Sequence, residues 1–240
     1  KLQWFKLITI RNHIVICGLG KKGTFLAEDL LSKGLKVVVI ESDINCMESK
    51  LIRKKGGIVL EGDATKQETL NSAKIHRAKH LICLLGNDNS NLQAAIQAYQ
   101  ISETRKTEEL NCTICITSKE LMHLLKNNEL FSADKIPFRL VTFNPYDRTA
   151  RSLLLLDEVF DSSTNSANRH ILIAGWGRLG ESLIIQAGNT WKFHRSSKLI
   201  ITVLDRAAQK RFSSLVERYP GLQKICTINP IELDLSNNSR

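Results

Sequence analysis

One pattern occurs twice in this chain: an apolar run breaks at a glycine, and two further glycines follow at fixed spacing before a helical stretch. At 13–23 it reads HIVICGLGKKG, and at 170–180 it reads HILIAGWGRLG. Few folds need three glycines at that spacing between a strand and a helix. Gly18 permits a tight turn, Gly20 lets another molecule approach the backbone, and Gly23 lets the helix pack closely on the strand. About twenty residues beyond each turn a second apolar strand ends in an acid. Leu35–Ile40 delivers Glu41, and Lys198–Leu204 delivers Asp205. Two strand–glycine–helix–strand–acid units predict an α/β chain of tandem Rossmann-like domains with parallel sheets, the second incomplete.

The first turn carries the stronger chemistry. The helix opening at Lys21 offers unpaired amides and a positive dipole end, which suits a diphosphate. Gly18, Leu19, Gly20, Lys21, Lys22 and Gly23 are therefore the expected phosphate-binding residues. Glu41, followed by Ser42, is placed to accept from ribose hydroxyls and to repel a 2′-phosphate. NAD, or another adenosine ligand such as NADH, ATP or ADP, is preferred over NADP. The strand Gly57–Leu60 ends at Asp63, Ala64 and Thr65, and His80–Leu85 ends at Gly86, Asn87 and Asp88. In a parallel sheet all these strand ends share one edge, where ligands of open α/β sheets bind. Asp63 and Thr65 also suit helix capping. The second turn (Gly175, Gly177, Arg178, Gly180, with Asp205) reads as a weaker site, because Trp176 is bulky and an insertion at 189–197 lengthens the path to the next strand.

Composition narrows the function classes. With 42% hydrophobic and 24% charged residues, the 240-residue chain matches a globular protein of one or two domains. No apolar run approaches the roughly 20 residues of a membrane span. The net charge of +10 is dispersed apart from Arg53-Lys54-Lys55, which suits the end of a solvated helix. With few aromatics and no recognition motif, nucleic acid is not an expected partner. The six cysteines suggest buried thiols in a reducing compartment. Cys112 and Cys115, three apart on a strand, point to opposite faces, so no metal site is expected. The six histidines form no acid–base set with a carboxylate or tyrosine.

The expected organisation is a lead-in at 1–11, a first domain at 12–160, a polar linker at 161–168 and a partial second domain at 169–240. Asn144-Pro145 opens a helix over 146–160 containing Leu153–Leu156, too many leucines for one packing surface. A start at Lys1 rather than Met, and a polar fade at Ser236–Arg240, raise the expectation of further chain on either side.

With these residues in place, 12–160 resembles the TrkA-N, or RCK N-lobe, family of regulatory nucleotide-binding domains from potassium channels and transporters. The resemblance rests on HIVICGLGKKG at 13–23, VVVIESD at 37–43, GIVLEGDATKQETLNSAKIHRAKHLICLLGNDNSN at 57–91 and FNPYDRTAR at 143–151. HILIAGWGRLG looks like a second such domain. The resemblance implies a sensor rather than a catalyst, cytoplasmic and at the inner face of a membrane. It implies self-assembly into a dimer-based ring, with Leu153–Leu156 in a subunit-pairing helix, and coupling to a membrane pore or transporter. It also implies that Gly18, Gly20 and Gly23 cradle phosphate, Glu41 binds ribose, Asp63 and Thr65 flank adenine, and Asn87 and Asp88 lie near the phosphates. The alternatives are a nicotinamide-dependent oxidoreductase and a ligand-free assembly scaffold.

Overall fold

The computed structural model describes residues 7–103, 105, 108–126, 137–156, 168–192 and 198–234. They divide into two compact units, Lys1–Asn144 and Pro145–Arg240.

In the first unit, six strands form a parallel sheet in the order β3-β2-β1-β4-β5-β6. The strands are β1 (Ile14–Cys17), β2 (Val37–Glu41), β3 (Ile58–Glu61), β4 (His80–Cys83), β5 (Leu110–Cys115) and β6 (Phe138–Phe143). Helices α1 (Lys21–Ser32), α2 (Met47–Lys54), α3 (Gln67–Ser72), α4 (Asp88–Ser102) and α5 (Lys119–Lys126) supply the crossovers. Strands buried on both faces read as continuous apolar runs, and all four residues of β1 are buried. The two-residue period of a strand then sorts them into two cores. Val15, Cys17, Val38 and Ile40 join one cluster; Ile14, Ile16, Val37 and Val39 join the other. The strand order reverses between β1 and β4, which opens a crevice beyond their carboxyl ends.

Helix ends follow local chemistry. The side chain of Cys46 caps α2, accepting from Ser49 N–H at 3.4 Å, and Arg53 and Lys54 occupy its last turn. Lys55 reaches Glu28 of α1 at 2.7 Å. Five cysteines are buried and Cys46 is partly exposed. Cys17, Cys83 and Cys112 adjoin across β1, β4 and β5. Hydrogen bonding to Cys83, then burial, pushes the Cys17 thiol far above the ordinary range. Hydrogen bonding to Cys112 does the same for Cys83. These are protonated core groups. Among the described residues no cluster of histidine, cysteine or acidic side chains is arranged to hold a metal, and no helix is long and apolar enough to cross a membrane.

His13 is fully buried at the start of β1, with Nε2 2.9 Å from Ala73 O. Burial lowers its pKa from 6.5; the Ala73 carbonyl opposes the shift, and His76, Lys36 and Arg105 reinforce it. Below about pH 6.5 the unfolded chain takes up a proton that the folded chain refuses, so stability falls as pH drops. Urea midpoints at pH 7.5 and 5.5 should show a smaller drop for His13→Gln than for the native chain. The difference is bounded by about 1.4 kcal/mol per pH unit.

The second unit has a three-stranded parallel sheet, β7-β8-β9: β7 (Asn168–Ala174), β8 (Lys198–Asp205) and β9 (Cys226–Glu232). Helices α6 (Pro145–Leu156), α7 (Arg178–Trp191) and α8 (Ala208–Arg218) accompany it. The division at Asn144/Pro145 differs from the boundary near 160 expected from sequence, because α6 packs within this unit. Leu154 joins its core, Arg151 Nε donates to Gln186 Oε1 at 2.9 Å, and the Arg178 guanidinium stacks 5.9 Å from the Tyr146 ring. Leu222–Lys224 forms a 3-10 turn, and β9 runs through Pro230. A proline without an N–H is tolerated there because, among the described residues, β9 is an edge strand paired with β8. The expected linker up to residue 167, the continuation of the 146–160 helix past Leu156, and 193–197 of the insertion lie outside the described residues.

Candidate functional site

The crevice beside β1 is built from backbone first. Gly18 has φ 95°, a left-handed conformation that favours glycine. Its N–H donates to Ile40 O at 2.9 Å. A Cβ at Gly23 would lie 2.0 Å from Gly18 O, so helix α1 meets the turn at a distance only glycine allows. Around Gly20, by contrast, a Cβ would meet nothing within 4 Å. Gly20 is exposed, as are Lys21 and Lys22. Gly20 is also the N-cap of α1, with no side-chain cap. The first helical bond runs from Thr24 N–H to Gly20 O at 3.0 Å, which leaves the amides of Lys21, Lys22 and Gly23 as the helix's open first turn. Leu19, between the glycines, turns inward and is buried in the core.

Glu41 closes one side. Its Oε2 accepts from Leu19 N–H at 2.6 Å. Its Oε1 accepts from Ser42 N–H at 2.8 Å, Ser42 Oγ at 3.0 Å and Asp43 N–H at 3.2 Å. Partial burial pushes this carboxyl up, but the hydrogen bonds from Leu19, Asp43 and Ser42 outweigh it and hold Glu41 below the ordinary glutamate range. The acid is therefore an anion that already braces the turn. Among the described residues Oε2 takes one donor against three on Oε1, so it keeps the larger spare acceptor capacity.

The other expected residues have local partners. Asp63 Oδ1 accepts from Thr65 N–H at 2.9 Å and Thr65 Oγ1 at 2.7 Å. Those bonds hold its carboxyl below the usual aspartate range, and Ala64 between them is buried. Asn87 caps α4, accepting from Ser90 N–H at 2.8 Å, and Gly86 beside it is exposed, with open space where a Cβ would stand. Asp88 does not present a free carboxylate to the crevice: its oxygens accept from Thr117 and Ser118. Sequence reading missed Asn91, a buried residue whose amide holds Leu85 and Cys115. Its signal was a lone asparagine on the apolar face of α4. Thr24, whose hydroxyl donates to Leu19 O at 2.8 Å, was missed too.

The second turn repeats this geometry. Gly175 has φ 96°, and its N–H donates to Leu204 O at 2.8 Å. A Cβ at Gly180 would lie 2.2 Å from Gly175 O, whereas Gly177 is open. Trp176 N–H donates to Asp205 Oδ2 at 2.8 Å, as Leu19 does to Glu41. Hydrogen bonds from Ala207 and Trp176 N–H hold Asp205 below the usual range. The bulk of Trp176 enters the second core, 1% exposed, so it does not fill the turn as its size suggested. The difference lies elsewhere. Arg211 donates to Trp176 O at 2.7 Å and lies 3.4 Å from Asp205, and Glu181, where the first turn has Thr24, pairs with Arg218 at 3.1 Å.

Residues 14–132 match the family described as TrkA-N domain. The chain is 33% identical over 93 residues to Potassium channel protein 1 of Methanocaldococcus jannaschii, covering 39% of this chain and 28% of that protein. It is 38% identical over 91 residues to the Trk system potassium uptake protein TrkA homolog of Pyrococcus horikoshii, covering 38% of this chain and 39% of the relative. Five relatives, these two among them, are matched over 15%, 28%, 31%, 39% and 39% of their own lengths, so this chain spans well under half of each. Among solved structures, GsuK bound to ADP shares the fold, with a TM-score of 0.55 and 19% identity over 82% of this chain and 44% of that one.

Proposed function

We propose, on the premise that residues 14–132 belong to the TrkA-N domain family, that this chain is a regulatory nucleotide-binding module of a potassium channel or transporter. One observation carries the reading: the bare Gly20 N-terminus of α1 stands over the crevice at the strand-order reversal, with an ionised Glu41 fixed beside it. Exposed helix amides favour a diphosphate, and the anion at Glu41 favours an unmodified ribose over a 2′-phosphate. NAD is the ligand of choice, with NADH, ATP and ADP in the same class. The second turn, with Gly177 open, is a weaker site of the same kind, because the Arg211 contacts change its acid corner. The exposed Leu153 and Leu155 of α6 support pairing with a second copy in a dimer-based ring, at the cytoplasmic face of a membrane pore. Binding moves such a pore only through a difference in affinity between its states.

Titration calorimetry of the full chain with NAD, NADH, ATP and ADP tests the reading. Saturable binding is expected, NADP should bind more weakly than NAD, and affinity should fall as salt rises. Absence of binding by all four would overturn it.

A further inference from the structure

The loop after β4 forms the wall of the crevice opposite the glycine turn. Leu84 N–H donates to Cys17 O at 2.9 Å, and Leu84 O lies 3.1 Å from where a Gly18 Cβ would stand. This wall is held from behind by side chains rather than by its own turn. Asn91, 1% exposed, accepts from Leu85 N–H at 2.8 Å and donates to Leu85 O at 3.3 Å and Cys115 O at 2.9 Å. Asp88 accepts from Thr117 N–H at 3.0 Å, Thr117 Oγ1 at 3.1 Å and Ser118 N–H at 2.8 Å. Thr117 O in turn accepts from Nδ2 of Asn144 at 3.1 Å, and Ile116 N–H donates to Phe143 O at 3.0 Å. Asn144 is itself buried, 4% exposed. It is the last residue of the first unit and covalently precedes Pro145.

We infer that Asp88, Asn91 and Asn144 are positioning residues that join the crevice wall to the ends of β5 and β6, so that a nucleotide seated at Gly20 is registered at Asn144. The inference rests on the nucleotide reading of that crevice. The charge of Asp88 supports it: a carboxylate facing a diphosphate would repel it, whereas one turned to two amides and a hydroxyl is compensated. Asn91 and Asn144 are buried and Asp88 half-buried; such partnered polar groups make a stiff link, because each lost partner leaves a poorly satisfied group behind.

Hydrogen exchange on the full chain with NAD at about ten times its Kd separates the outcomes. Openings that require release of ligand slow about elevenfold at that concentration. In the native chain this protection should cover 84–91, 115–118 and 141–144. In Asn144→Ala, NAD affinity should stay within about twofold while protection at 141–144 disappears, and Asp88→Asn should lose the same protection. Thr117→Val, which removes only the hydroxyl contact, should weaken it partially and serves if a harsher variant does not fold. Protection confined to 18–23 and 84–91 in the native chain would overturn the inference while leaving the nucleotide site standing. Tighter NAD binding by Asp88→Asn would overturn it too, since that marks a ligand-facing carboxylate. No binding at all would overturn both.

Discussion

Gly23→Ala is expected to destabilise the first unit by about 3 kcal/mol or more. The added methyl would sit 2.0 Å from Gly18 O and 3.0 Å from Gly18 C, and both are backbone atoms rather than the end of a side chain that swings away. Gly18 itself does not yield easily. It is held in a left-handed conformation, bonded to Ile40 O and close to Leu84. Relief therefore requires α1 to lift from the sheet, pulling Ala27 out of a core it shares with Ile16 and Val39. Against a typical stability of about 5–15 kcal/mol, such a loss lowers the urea midpoint substantially. Gly180→Ala should do the same in the second unit, where the methyl would meet Gly175 O at 2.2 Å. A midpoint for Gly23→Ala within about 0.5 kcal/mol of the native chain would mean that the turn is far softer than its geometry implies.

Gly20→Asp should have the opposite profile, weakening nucleotide binding at least about tenfold in a chain that melts like the native one. Nothing lies within 4 Å of the added Cβ, and aspartate is a favoured N-cap that differs from glycine by only a few tenths of a kcal/mol. The new carboxylate would accept from the amides proposed to hold a diphosphate and would carry charge of the same sign. Charge-assisted hydrogen bonds are worth about 1.5–3 kcal/mol each, so losing one or two weakens NAD by roughly 10-fold to well over 100-fold. Calorimetry alongside thermal melting measures both halves. Unchanged affinity would place the ligand elsewhere; absence of binding by the native chain itself would favour a purely structural scaffold.

The two glycine turns illustrate how far sequence reading reaches. Glycine spacing, strand length and the acids at Glu41 and Asp205 were legible because each answers to a local constraint: a turn angle, a close approach, a two-residue period. The fate of Asp88 was not legible. Its neighbours Gly86 and Asn87 mark a strand-end loop, and a loop acid there reads as ligand-facing. Thr117 and Ser118, which claim it, lie 29 and 30 residues away in sequence. Trp176 misled for a related reason. Its size is evident in the sequence, but its direction depends on whether a core exists to receive it, and the second unit provides one.

The sequence by itself determined the parallel α/β architecture, the doubled turn and the identity of the residues that only glycine can fill, because these follow from steric limits acting within a few residues. Only the tertiary structure decided which acids are braced and which remain available, that α6 packs with the second unit, and that the crevice wall is tied through Asn91 and Asp88 to Asn144. Those outcomes depend on which partners from distant segments satisfy a buried polar group, and no short-range pattern encodes that choice.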